Sequence, residues 1–96
     1  MDRLSQIRDR REEILKLASS RGVRNPRLVG SVARGTAGPR SDVDLVVDLD
    51  PGAGLLDLGA LVMDLRELLG CAVEIIPVSG IRPGARDELL REAVAL

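Results

Sequence analysis

From Asp42 to Leu49 the chain alternates, with Val43, Leu45, Val47 and Leu49 on one side and Asp42, Asp44 and Asp48 on the other. A period of two marks a β-strand whose apolar face lies on a core. Here the opposite face carries carboxylates. Pro51 and Gly52 end the strand. Any fold open to this chain must therefore contain a sheet through residues 42–49.

The rest of the chain supplies what packs on that sheet. Leu4, Ile7, Ile14, Leu17 and Ala18 recur at near-helical spacing before Gly22, predicting one helix over residues 3–20. Arg27, Leu28 and Val29 predict a short strand that stops at Gly30-Ser31 and leads into one or two helical turns, and GTAGPRS is a loop. Leucines and Val62 give residues 54–69 a helical pattern closed by Gly70. Ala72 to Pro77 predicts a third strand, and Pro83 opens a last helix in which Leu89, Leu90, Ala93 and Val94 face the core. The order α, β, short α, β, α, β, α predicts an α+β (mixed α/β) fold, a small mixed β-sheet with helices packed on it. Ninety-six residues have material for one core, so a single domain is expected over 1–96.

Composition excludes several function classes. There is no histidine and one cysteine, Cys71, expected as a small core residue; a zinc site of His and Cys is ruled out, and any metal must be held by oxygen. There is no Phe, Tyr or Trp on which to stack a base, so direct nucleic-acid binding is not expected. No apolar run reaches the roughly 20 residues that span a bilayer, and the charged start MDRLSQIRDRR is unlike a signal peptide; a cytoplasmic protein with no membrane partner is expected. Net charge is −1, yet residues 1–41 carry ten Arg/Lys against four Asp/Glu and residues 42–96 carry four against eleven. A basic face for phosphate or an acidic partner, beside an acidic cluster for cations, would account for that division.

Asp42 and Asp44 leave one face of their strand roughly 6 to 7 Å apart at Cα, which lets them share divalent metal. Mg²⁺ suits such oxygen ligands. Gly30 allows phosphate to approach the backbone, the following helix start offers free N–H groups, and the Ser31 hydroxyl adds a donor. Arg34 and Arg40 flank the same loop, where a guanidinium either grips phosphate or is simply solvated. Glu74, amid the apolar run VEIIP, is a candidate third carboxylate, as metal ligand or general base, with an edge-strand charge facing water as the alternative. Asp48 and Asp50 lie further along and are expected to point to solvent.

The run GSVARGTAGPRSDVDLVV resembles the GSxARG, spacer, SDxDL signature of the DNA polymerase β-like nucleotidyltransferases, and with VEIIP and RDELLREAVAL the likeness to the minimal nucleotidyltransferases covers residues 23–96. The resemblance implies the polymerase β-like fold, Gly30 and Ser31 at the NTP phosphates, Asp42 and Asp44 as Mg²⁺ ligands, and Glu74 in the place of a third carboxylate. The family usually has Asp there, and the extra methylene of Glu shifts the carboxylate by more than an ångström. Proteins of this kind are commonly antitoxins of HEPN-type ribonuclease toxins, some of which they neutralise by moving AMP from ATP to a toxin tyrosine. The expectation is therefore a protein adenylyltransferase that forms a hetero-oligomer with its toxin. This chain has no tyrosine, so a tyrosyl acceptor must be on another molecule. The alternatives are a non-catalytic antitoxin that masks the toxin, and nucleotidyl transfer to a small molecule.

Overall fold

The computed structural model describes residues 2–38 and 41–96, so Arg40 lies outside the described residues. Four strands form one mixed sheet in the order β3-β2-β1-β4. β2 (Val43–Leu49) is central, antiparallel to β1 (Val23–Val29) and parallel to β3 (Val73–Pro77). β1 is antiparallel to β4 (Val94–Ala95) on its other side. The expected α+β class, with a small mixed sheet and packed helices, is thus what the chain forms.

Three helices cover one face of the sheet: α1 (Arg3–Asp9), α2 (Arg11–Ser20) and α4 (Leu55–Leu69). Ile7, Ile14, Leu58, Leu61, Leu65 and Leu69 from these helices meet Val43, Leu45, Val47 and Val73 of the strands in one aliphatic cluster. Every buried residue among those described is Ile, Leu, Val, Ala or Pro. The alternation of β2 decides which of its residues belong to this layer. Val46 and Val29, also buried, lie outside that cluster and face the other side of the sheet. There α5 (Pro83–Glu92) touches β1 and the short α3 (Gly30–Arg34), and a 3-10 turn at Val78–Gly80 touches β2.

Three expectations are corrected. The first helix is broken at Arg10, whose N–H is shared between the Gln6 and Ile7 carbonyls at 3.2 and 3.1 Å. Ile7 and Ile14, seven residues apart on either side of a charged run, are both buried in the core. β1 starts at Val23 rather than Arg27, because a bulge between Arg24 and Arg27 carries the strand across Asn25 and Pro26, two residues that locally suggest a turn. The last helix stops at Glu92, and Val94, expected within it, pairs with Leu28 as β4; the open edge of β1 outweighs local helix preference. Leu89, Leu90 and Ala93 are only half-buried.

The bulge is fastened from β2. Asn25, at φ 51°, donates from Nδ2 to Asp48 at 2.9 Å, and the two terminal nitrogens of Arg27 donate to both Asp48 oxygens at 3.3 and 3.4 Å. Asp48 therefore bonds within the sheet instead of simply facing solvent, while Asp50 pairs with Arg24. The hydrogen bonds from Asn25 and then Arg27 hold the Asp48 carboxyl below the ordinary carboxylate range. A folded pKa below the unfolded one contributes stability that is present above the unfolded value, about 3.9, and is lost as pH falls through the folded value. Asp48→Asn should lower the unfolding free energy measured with urea at neutral pH, by less than about 1 kcal/mol for so accessible a group. The deficit should close in acid, and one that persists unchanged at low pH would overturn the assignment.

Candidate active site

The carboxylate face of β2 runs opposite to the helical layer, and the register of the sheet places Asp44 between Val29 of β1 and Glu74 of β3. Val29 is the last residue of β1; the chain then turns sharply at Gly30, φ +74°, into α3. That turn brings Gly30 against the aspartate so closely that a Cβ built on it would stand 2.8 Å from Asp44 Oδ2. Glycine is needed here for two reasons, the left-handed backbone and the carboxylate resting on its Cα. On the other side, the register of β3 sets Glu74 directly beside Asp44. β3 is an edge strand and Glu74 is exposed on it, as the edge-charge reading expects, while the register sets it next to Asp44.

Asp42 is exposed just ahead of β2, and Asp44 is half-buried. Burial foremost, then the negative charges of Glu74 and Asp42 and the hydrogen bond with Glu74, hold the Asp44 carboxyl above its ordinary range. Among the described residues, the charges that shift Asp44 are both negative, and a cation would relieve that repulsion. Among the described residues, no three acidic, Cys or His side chains converge tightly enough to cage an ion unaided. An all-oxygen set of this kind fits Mg²⁺, which keeps several waters and is commonly held by one or two carboxylates together with substrate phosphates.

The phosphate side of the candidate site is the β1–α3 junction. Ser31 is half-buried in the first turn of α3, and its carbonyl accepts from Thr36 N at 3.0 Å, folding the following loop back. Arg34, at the end of α3, is exposed and 3.8 Å from Glu92 of α5. An exposed pair of that length is weak, so Arg34 is not locked to α5. The sequence reading missed the contact of Ser41, just before Asp42: its Oγ accepts from Gly38 N at 2.8 Å. A serine preceding an acidic strand start was the available signal. Cys71 packs at the edge of the core, where burial pushes its thiol up.

A family model described as a nucleotidyltransferase domain matches residues 4–96. The chain is similar to the protein adenylyltransferase MntA of Thermococcus cleftensis, with 38% identity over 73 residues, 76% of this chain and 74% of that protein. The solved structure of a candidate minimal nucleotidyltransferase superposes with a TM-score of 0.90 at 44% identity, covering 100% of this chain and 97% of that one. A toxin–antitoxin structure with AMP-PNP shares the fold at a TM-score of 0.74 and 19% identity, over 88% of this chain and 69% of that one. No helix among the described residues is long and apolar enough to cross a membrane. Signature, family model and near-complete structural likeness agree, and the chain belongs to the nucleotidyltransferase domain family, as an enzyme of its minimal form.

Proposed function

We propose that this nucleotidyltransferase is an antitoxin that transfers AMP from ATP to a tyrosine hydroxyl of a HEPN-type ribonuclease toxin. The observation that carries the proposal is the placement of Asp44, wedged between the Gly30 turn and Glu74 on the face of the sheet away from the α1, α2 and α4 layer. Gly30 and Ser31 bind the β- and γ-phosphates through backbone N–H groups and the Ser31 hydroxyl, which leaves the α-phosphate above the carboxylates. Asp42 and Asp44, with Glu74 as third carboxylate, would hold Mg²⁺, which when bound supplies positive charge for the phosphates and the developing negative charge of the displacement.

The acceptor oxygen attacks the α-phosphorus in line, the bond from that phosphorus to the bridging oxygen breaks, and pyrophosphate leaves. Glu74, exposed and beside Asp44, takes the proton of the attacking hydroxyl. The likeness to an MntA adenylyltransferase supports AMP as the transferred group, and the likeness to a toxin–antitoxin structure holding AMP-PNP supports both the toxin partner and ATP.

Incubating the chain with its co-expressed toxin, Mg²⁺ and ATP should add one or more AMP masses to the toxin, read by intact mass, and abolish its ribonuclease activity. Neutralisation with no added mass and no pyrophosphate release would overturn the transfer and leave an antitoxin that acts by masking.

A further inference from the structure

The outer side of α4 carries a second feature that the catalytic site does not use. Leu58, Leu61, Leu65 and Leu69 point into the core, yet Leu55, Leu56 and Met63 on the opposite side are 84%, 91% and 66% exposed. Gly59 lies among them, and a Cβ added to it would meet nothing within 4 Å. Glycine in a helix interior is less stable than alanine, and nothing in this chain requires its missing side chain. Leu55, Gly59 and Met63 are spaced by four, so they form one row of knob, hole and knob.

We infer that this row is the interface of a homodimer, in which two α4 helices cross antiparallel about a twofold axis level with Leu61. In that register Met63 of each copy enters the gap over Gly59 of the other, so knob and hole are satisfied reciprocally, as an isologous contact demands. Leu55 and Leu56 then lie along the aliphatic stems of Glu67 and Arg66 of the second copy. In this register the two helix dipoles run opposed, and Glu67 and Arg66 of each copy both come to the N-terminal end of the facing helix, where the carboxylate is favoured and the guanidinium is not.

The patch is of the order of 400 Å² per copy, within the range of the largest apolar patch on a monomer. Two such patches with their rims reach about 1,000 Å², the lower bound for a specific interface, so the dimer is reversible rather than obligate. The layers of the fold favour a second copy over the nucleotidyl acceptor. α4 covers the sheet face opposite to Asp44 and Glu74, and pairing through it leaves both catalytic faces open.

Sedimentation equilibrium of the full chain, read by refractive index, tests this. The wild type should pass from monomer to dimer with rising concentration into the hundreds of micromolar. Leu56→Glu should remain monomeric, and Gly59→Ala should weaken the dimer at least tenfold while raising the melting temperature. A wild type that stays monomeric, or a dimer indifferent to both substitutions, would overturn the inference. So would a monomeric wild type whose capture of the toxin is lost in Leu56→Glu, which would give the row to that partner instead.

Discussion

Asp44→Asn is expected to abolish nucleotidyl transfer and to make the protein more stable. The two effects share one cause. Burial, Glu74 and Asp42 raise the Asp44 carboxyl above its ordinary range, so the ionised form is less favourable in the folded protein than in the unfolded chain. An acid with a raised folded pKa adds no penalty below the unfolded value, and the penalty grows as pH rises toward and through the folded value. At neutral pH the amide removes it, and the melting temperature of Asp44→Asn should lie above that of the wild type, the two converging in acid. Transfer should fall by about a hundredfold to a thousandfold or more, the typical cost of deleting one preorganised electrostatic contact. Saturating Mg²⁺ and ATP should stabilise the wild type by about 2.7 kcal/mol at a hundred times Kd, and the variant by much less. Wild-type turnover in Asp44→Asn would refute the proposed ligand role, and a lower melting temperature at neutral pH would refute the electrostatic account.

Gly30→Ala should damage both fold and activity. A side chain at φ +74° costs about 1–2 kcal/mol from backbone sterics alone. The new methyl would also stand 2.8 Å from Asp44 Oδ2, so either the turn or the carboxylate must move. A displacement of about 1 Å at a reacting centre costs on the order of a hundredfold in rate. The two contributions separate in a double-mutant cycle measured by urea unfolding. With Asp44→Ala in the background the carboxylate is gone while Asp44 Cβ, at 3.8 Å, was never in the way. Gly30→Ala should then cost only its backbone strain. Equal costs in both backgrounds would show that the close contact is not what the glycine serves.

These two residues also mark how far the sequence could be read. Alternation in DVDLVVDL identified β2 and the face bearing Asp42 and Asp44, because a period of two is a local property. Gly30 was legible as a turn next to phosphate, but its contact with Asp44 was not, since that depends on the pairing of Val29 with Asp44. Glu74 was similarly ambiguous until the strand order made β3 an edge and its register set Glu74 beside Asp44. The errors have the same origin. Asn25 and Pro26 suggest a turn unless a bulge is anchored from Asp48, twenty-three residues away. Val94 belongs to a helix by local preference and to a strand only because β1 has an edge to close. Gly59, unremarkable in the sequence, acquires meaning once the space around it is known to be empty.

The wholly aliphatic core has an optical consequence. A chain without Phe, Tyr or Trp is nearly transparent in the near ultraviolet, where adenine absorbs strongly. A purified sample that absorbs there reports bound nucleotide or a partner rather than the chain itself. In a complex, tyrosine and tryptophan emission comes entirely from the other protein. Binding and modification of that protein can therefore be followed directly, without a label and without a background to subtract.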